Sequence, residues 1–228
     1  MFYWFVRAVL RWPFHVLWHA RLVGAGNIPA TGGAVLASNH LSMCDSLFLP
    51  VLMRRRMTFL AKEEYFTGRG LKGRAKAAFV RGTGLVPLRR DDPTSAAATL
   101  VTAVERLRGG TLIGIYPEGT RSRSGVLQPG KTGVARLALT AGVPVVPIAM
   151  VGTDTVLPIG ATRPHLARVT VRIGAPLTFP DADPNDPDDL RSVTDTIMAA
   201  IRELLEEPAD EKLPLGDRPT TEGVRHRA

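Results

Sequence analysis

The sequence predicts an α/β protein in which helices flank a central mixed β-sheet. Short apolar runs of strand length alternate along the chain with longer segments of helical periodicity, which is the pattern of this class. The 228 residues, 45% of them apolar, can fill the core of one sizeable domain. The two ends differ from this body in composition. We therefore expect an interfacial anchor at 1–20, a domain at 21–206 and a disordered tail at 207–228.

The N-terminal segment is rich in aromatic and cationic side chains. It holds half of the aromatic residues and all three tryptophans. Its cationic residues recur at every fourth position and share one helical face: Arg7, Arg11, His15 and His19. Tryptophan favours the membrane interface, whereas an arginine near the bilayer centre costs roughly 2.5 to 3.5 kcal/mol. We expect an N-terminal interfacial membrane helix or helix pair, kinked at Pro13, rather than a spanning helix or a signal peptide. A helix packed in the core is the alternative.

The body then continues as alternating strands and helices. Strands are predicted at 33–38, 57–61, 84–88, 111–116, 145–151 and 169–173. Helices are predicted at 94–108, at 132–141 and from 186 through 204, where an Asp-Pro-Asp-Asp sequence is a strong start signal. The basic stretch 69–81 fits an amphipathic helix at a membrane and an ordinary solvated helix equally well.

A histidine and an aspartate follow the strand predicted at 33–38. His40 comes just past the strand's carboxyl end, where ligands collect in open α/β sheets. Two residues five apart on one helix point about 140° away from each other, so we expect His40 in a loop and Asp45 in the first turn of the next helix, with Ser42 as its N-cap. The carboxylate could then orient the imidazole for general-base catalysis. A capping aspartate beside an ordinary loop histidine is the alternative.

Two further strands end in polar residues. The strand at 111–116 is stopped by Pro117, so the residues from Glu118 to Arg121 form a turn at its end. Gly119 permits close backbone approach or positive φ, and the planar fork of Arg121 suits a phosphate or a carboxylate. The strand at 84–88 likewise delivers two arginines. Polar chemistry at the ends of three strands is hard to attribute to chance.

Four blocks, in order and within about residues 30–150, resemble the glycerolphosphate and lysophosphatidate acyltransferases of phospholipid synthesis. They are Asn39-His40-Leu41-Ser42-Met43-Cys44-Asp45, the segment ending in Arg90, Pro117-Glu118-Gly119-Thr120-Arg121-Ser122, and Val143-Pro144-Val145-Val146-Pro147. In many members an aspartate precedes the arginine of the second block, and Arg89 stands there in this chain. That departure leaves the fine specificity for the acceptor open.

The resemblance implies transfer of a fatty acyl group from acyl-CoA or acyl carrier protein, as co-substrate, to the free hydroxyl of lysophosphatidate, which makes phosphatidate. It implies that His40 deprotonates the hydroxyl with the support of Asp45, without a cofactor. It also implies a substrate-binding site around the acceptor phosphate, formed by Arg90, Glu118, Gly119, Thr120, Arg121 and Lys131. Another lipid or glycerol 3-phosphate is the alternative acceptor.

The distribution of charge agrees with anionic partners. Residues 1–180 hold 23 lysines and arginines against 8 acidic residues, whereas residues 181–228 hold 6 against 13. A basic body suits an anionic membrane surface, the phosphates of CoA or an acidic carrier protein. Nucleic acid is a poorer partner because no nucleic-acid-binding motif is evident. We therefore expect peripheral, monotopic attachment to the cytoplasmic face of the cell membrane.

Rival classes of protein find less support. Gly125–Thr132 matches the phosphate-binding loop of nucleotide hydrolases in its letters, but a polar turn precedes it and Pro129 removes one of the N–H groups that such a loop supplies. There is no Gly-x-Ser-x-Gly for a serine esterase and no cluster with metal-ligand spacing. Cys44, the single cysteine, could carry an acyl intermediate, although a small helix residue is the simpler interpretation. A lipid-binding protein without catalysis is the remaining alternative, and the His40–Asp45 pair speaks against it.

Overall fold

The computed structural model describes residues 2–62, 70, 73, 86–88 and 93–207. The strands are β1 (Arg21–Val23), β2 (Ala34–Ser38), β3 (Met57–Lys62), β4 (Val86–Leu88), β5 (Leu112–Ile115), β6 (Val145–Val151) and β7 (Thr170–Ile173). The helices are α1 (Phe2–Trp18), α2 (Asp45–Leu52), α3 (Pro93–Arg108), α4 (Gly133–Ala141), α5 (Thr153–Val156) and α6 (Pro187–Glu206). Arg90, most of the basic stretch 69–81 and the tail 208–228 lie outside the described residues, so the predictions made for them stay predictions.

The strands form one sheet in the order β1-β7-β6-β2-β5-β3-β4. Every neighbouring pair is parallel except β6 and β7, which are antiparallel. The prediction of a central mixed sheet is therefore confirmed, and each predicted strand is present within a residue or two of its expected bounds. The three-residue strand β1 was not predicted because it is too short to show a period.

Apolar cores lie on both faces of the sheet. The central strand β2 is buried along its whole length, because Leu36 points into one core and Val35 into the other. Helices α1 and α2 cover the first face, and α3, α4 and α6 cover the second. Burial on both sides explains why β2 reads as a continuous apolar run rather than an alternating one. Its carboxyl end is fixed on both flanks, by β5 and by β6.

Helix α1 is one element that continues through Pro13, not a pair of helices. Leu10, Phe14 and Trp18 face the core, where the ring of Phe14 lies 4.5 Å from that of Phe48, measured between ring centroids. The side chain of Arg7 is also partly engaged, since its Nε donates to the carbonyl of Val51 at 3.2 Å. The core-packing alternative is therefore right for one face of α1.

A second face of α1 is exposed and apolar. Val9, Trp12 and Val16 follow the i, i+3, i+7 spacing of one helical stripe, and Trp12 is 72% exposed. Among the residues described, no helix has the length and apolar character that crossing a membrane would require.

Candidate active site

The His40–Asp45 pair has the predicted geometry. His40 follows β2 in a loop, and Asp45 opens the first turn of α2. Nδ1 of His40 lies 2.8 Å from Oδ2 of Asp45, and the same oxygen accepts the backbone N–H groups of Leu41 at 2.8 Å and Ser42 at 2.9 Å. Asp45 is fully buried, whereas 17% of the His40 side chain is exposed. The carboxylate is thus fixed by three donors, and Nε2 is the imidazole nitrogen that Asp45 leaves unengaged.

The prediction that Ser42 caps α2 is wrong. Cys44 occupies the N-cap position, and the Ser42 hydroxyl donates instead to the carbonyl of Leu157 at 2.7 Å. The Ser42 Oγ also accepts the backbone N–H of Cys44 at 3.4 Å, but no side chain caps the helix itself. Ser42 consequently ties the His40–Asp45 loop to the segment that follows α5.

Cys44 is buried beside this pair. Its thiol donates to the Ser42 hydroxyl at 3.1 Å and contacts the carbonyl of Thr153 at 3.5 Å. Burial raises the pKa of the Cys44 thiol to about 11, so the thiol stays protonated near neutral pH. A protonated, enclosed thiol is a poor nucleophile, and the geometry gives no support to an acyl-cysteine intermediate.

Asn39 holds the histidine loop to the neighbouring strand. Its Nδ2 donates to the carbonyl of Met150 at 3.0 Å, and its Oδ1 accepts the N–H of the same residue at 2.7 Å. The side chain therefore continues the pairing of β2 with β6 beyond the last residue of the strand. We did not predict this role, since the partner is 111 residues away in sequence.

Glu118 joins the loop after β5 to His40. Its Oε1 accepts the backbone N–H of His40 at 2.8 Å, and its Oε2 accepts that of Gln128 at 2.9 Å. The N–H of Ser122 also donates to the His40 carbonyl at 2.8 Å. Burial raises the pKa of the Glu118 carboxyl, and the two N–H groups oppose that shift. Both carboxylate oxygens of Glu118 therefore accept backbone N–H groups, which holds the loop after β5 against His40.

The predicted cations, unlike Glu118, are not engaged by other described residues. Arg121 is half-buried, and its guanidinium makes no hydrogen bond or ion pair with another described residue. Lys131 is exposed and packs over Gly119, which adopts a φ of 71°: a Cβ on that glycine would lie 3.2 Å from the Lys131 side chain. Thr120, which lies between Gly119 and Arg121 in sequence, is exposed. The structure thus brings Gly119, Arg121 and Lys131 into one loop whose cations are free to meet a ligand.

The ring of Tyr116 is stacked on the imidazole of His40. The ring centroids are 3.8 Å apart and the planes differ by 8°. The sequence indicated Tyr116 only as the last residue of a buried strand, and the contact could not be foreseen because it joins residues that follow two different strands. The available signal was its position directly before the Pro-Glu-Gly-Thr-Arg block.

The segment Gly125–Thr132 matches the nucleotide-binding pattern in sequence, but packing explains its second glycine. A helix does follow Thr132, but β5 ends at Ile115, so no strand feeds directly into Gly125. Gly130 is small because α6 approaches it: a Cβ there would lie 2.8 Å from Met198. The loop is also tied to α6 by Arg191, whose Nη1 donates to the Gly130 carbonyl at 2.9 Å.

Comparison with known proteins shows which family the chain belongs to. Residues 19–151, more than half of the chain, match the model of the family described as Acyltransferase. The chain belongs to that family, and the resemblance found in its four blocks is confirmed.

Several relatives share the name 1-acyl-sn-glycerol-3-phosphate acyltransferase. The chain is 34% identical to a chloroplastic 1-acyl-sn-glycerol-3-phosphate acyltransferase of Brassica napus over 60% of its length and 39% of the relative's. A chloroplastic enzyme of that name from Arabidopsis thaliana is 33% identical, over 66% of this chain and 40% of its own. The chain therefore spans about two fifths of these plant proteins. The enzyme of that name from Bacillus subtilis is 27% identical over 78% of this chain and 84% of its own.

A solved structure has the same fold. The crystal structure of the 1-acyl-sn-glycerophosphate acyltransferase PlsC from Thermotoga maritima aligns with a TM-score of 0.63, at 24% identity. The alignment covers 83% of this chain and 72% of that one. At this identity the likeness concerns the arrangement of helices and strands.

Proposed function

We propose that this protein transfers a fatty acyl group from an acyl thioester to the free hydroxyl of a lysophosphatidate, making phosphatidate. The observation that carries the proposal is the His40–Asp45 pair, with Nδ1 and Oδ2 at 2.8 Å, beside the uncommitted cations of the loop after β5. A base next to a phosphate-binding surface is what acylation of a phosphate-bearing alcohol requires. The names of the relatives point to the same acceptor.

The two nitrogens of the His40 imidazole have separate roles in the proposed reaction. Nε2 of His40 takes the proton of the acceptor hydroxyl, and the oxygen attacks the thioester carbonyl. The tetrahedral intermediate then collapses, the C–S bond breaks, and the imidazolium returns the proton to the departing thiolate. Asp45 keeps Nδ1 protonated and stabilises the positive ring throughout. General-base assistance of this kind contributes on the order of a hundredfold to ten-thousandfold in rate.

The acceptor phosphate binds at the loop after β5 in this proposal. Arg121 supplies a bidentate fork and Lys131 a second positive charge, while Gly119 lets the backbone approach closely. Thr120 adds an exposed hydroxyl, and Arg90 joins them as the cation of the second block. Glu118 acts indirectly, by holding the loop against His40.

A substrate panel tests this function. The full-length protein is incubated with acyl-CoA or acyl carrier protein as donor and with lysophosphatidate, glycerol 3-phosphate or another lysolipid as acceptor, and the products are identified by mass. We expect phosphatidate from lysophosphatidate and a loss of at least about a hundredfold in kcat for His40→Ala. Undiminished turnover by a folded His40→Ala protein would refute the mechanism, and acylation of glycerol 3-phosphate alone would replace the acceptor.

We further propose that α1 attaches the protein peripherally to an anionic membrane, on the cytoplasmic face. Its stripe of Val9, Trp12 and Val16 is exposed, and cationic residues flank it. Apolar burial and attraction to anionic headgroups would act together. Because Phe14 and Trp18 belong to the core, deletion of α1 would also damage the fold.

Point substitutions separate binding from folding. Trp12→Ser should weaken sedimentation with anionic vesicles several-fold while leaving the thermal midpoint unchanged. Val101→Ser is the matched control, since Val101 is an exposed apolar residue on α3, on the other face of the sheet. Equal vesicle binding by both variants and the wild type would show that the anchor lies elsewhere.

A further inference from the structure

One aromatic column runs through the candidate site. The imidazole of His40 lies on the ring of Tyr116 at 3.8 Å, and the opposite neighbour of Tyr116 is Phe59, at 5.3 Å between centroids and 14° between planes. His40 follows β2, Tyr116 follows β5 and Phe59 lies within β3, and these three strands are adjacent in the sheet. Asp45 occupies the Nδ1 edge of the imidazole, so Tyr116 covers a part of the ring that the carboxylate does not touch.

The position of Tyr116 is over-determined. Its hydroxyl lies 3.0 Å from the Oγ of Ser46 on α2, which fixes the ring at its far end. Phe59 can reach the column because residue 114 of β5 is glycine: a Cβ there would lie 2.4 Å from Cε1 of Phe59. A ring that stacks on two neighbouring rings and is bound at its hydroxyl does not swing away when the imidazole changes charge.

The charge state of the phenol also suits this position. Burial, with the nearby Asp45 as a second cause, raises the pKa of Tyr116 well above its ordinary value. The Tyr116 ring therefore remains a neutral phenol at and well above neutral pH. A neutral aromatic face attracts a cation through its quadrupole, and the strength of that attraction grows as the pair is withdrawn from water.

We infer that Tyr116 is a positioning residue which holds the plane of the His40 imidazole and stabilises the imidazolium by a stacked cation–π contact. The inference rests on the proposed role of His40 as general base. In that role the ring becomes positive when it takes the hydroxyl proton, and it must keep its direction while it does so. Asp45 stabilises the cation from one edge, and Tyr116 does so from one face.

Other ionisable groups surround the pair and must be kept constant in a test. Asp45 from α2 contacts the imidazole, Glu118 from the loop after β5 binds the His40 backbone, and Cys44 precedes Asp45 at the N-cap of α2. A change at Tyr116 that removes only the aromatic face leaves these three groups in place. Its electrostatic effect on His40 can therefore be measured separately from theirs.

The first experiment compares two substitutions in the full-length protein. Tyr116→Leu removes the aromatic face and should lower kcat roughly threefold to thirtyfold. It should also move the acid limb of the kcat/KM profile and the NMR titration midpoint of the His40 ring to lower pH, because the imidazolium has lost a stabilising partner. Tyr116→Phe keeps the face and should leave both midpoints unchanged. Ser46→Ala, which removes only the hydroxyl partner, is the matched control.

A purely structural role gives a different result. If Tyr116 only fills space, Tyr116→Leu lowers the plateau of activity without moving either midpoint, and that result would overturn the inference. Should Tyr116→Leu fail to fold, phenylalanines with increasing numbers of ring fluorines at position 116 keep the shape while weakening the π face. We then expect a stepwise fall of the titration midpoint with fluorine number, and a flat series would equally refute it.

The two proposals fail separately. The NMR titration reports on His40 and Tyr116 without any substrate. A shifted midpoint in Tyr116→Leu together with an active His40→Ala protein would retain the stacking contact and reject the base. An inactive His40→Ala protein together with an unmoved titration midpoint in Tyr116→Leu would retain the base and reject the stacking contact.

Discussion

Two arginines lie at opposite ends of the strands of the sheet, and the fold uses them in opposite ways. Arg55 lies at the amino edge, where its guanidinium donates to the carbonyls of Pro29, Gly32 and Gly110, the latter two at 2.8 and 2.9 Å. Arg121 lies at the carboxyl edge and has no partner among the described residues. Residue type is therefore a poor guide to function on its own. The arginine that we propose as a phosphate ligand differs in having a guanidinium that the fold has not already engaged.

The same contrast holds within the carboxyl edge. The side chains of Asn39 and Glu118 and the Oδ2 atom of Asp45 bind backbone groups, and the same Oδ2 atom contacts Nδ1 of His40, so the histidine is fixed from several directions. Arg121 and Lys131 remain available. The site thus combines a rigid base with uncommitted cations, as expected where one group must be pre-positioned and the others must meet a charged substrate.

The largest effect should come from Asp45→Asn. In this variant the N–H groups of Leu41 and Ser42 should hold the amide oxygen in the Oδ2 position. That oxygen lacks the full negative charge of the carboxylate, so it cannot stabilise a protonated Nδ1 in the same way. We expect kcat to fall on the order of a hundredfold to ten-thousandfold while acceptor KM changes little. Steady-state kinetics on a variant with native circular dichroism measures this. A kcat within threefold of the wild type would remove Asp45 from the mechanism.

Local signals made the His40–Asp45 geometry predictable. A strand of five buried residues, a short loop and a helix start all lie within twelve positions, so their order determines which atoms can meet. The contacts of Asn39 with Met150, Glu118 with His40 and Tyr116 with Ser46 span 70 to 111 residues, and no sequence period reports on such contacts.

Periodicity also left the orientation of α1 undecided. It identified a cationic stripe, but it could not show that Arg7 and Phe14 turn toward the core while Trp12 turns outward.

The next effect concerns Arg121. Because its fork has no internal partner, Arg121→Ala should raise acceptor KM roughly tenfold to a hundredfold with no loss of stability. Arg121→Lys should recover only part of this, since an ammonium lacks the bidentate geometry. Initial rates with acceptor and donor varied in turn separate the two substrates. An acceptor KM that is unchanged in the alanine variant would exclude Arg121 from the phosphate site.

Arg55→Ala is the mirror experiment. Three carbonyls lose a charged donor, so we expect the free energy of unfolding to fall by about 1 to 3 kcal/mol. Acceptor and donor KM should stay within about twofold of the wild type, because the residue lies at the other edge of the sheet. Urea denaturation and kinetics on the same preparation give both values. If Arg55→Ala raised acceptor KM as Arg121→Ala does, the contrast between the two edges would be lost.

Cys44 should give the smallest effect, although it lies between the two catalytic candidates. Its folded pKa of about 11 exceeds the ordinary value of 9.0, so the thiol contributes stability that is complete below pH 9 and is lost as the pH rises through 11. Cys44→Ala should remove that dependence and keep kcat within about twofold of the wild type, because no bond to Cys44 forms in direct transfer. At pH 8 iodoacetamide should label the unfolded chain quickly and the native protein hardly at all. Rapid labelling of the folded protein with loss of activity, together with an inactive but folded Cys44→Ala, would restore the acyl-cysteine route.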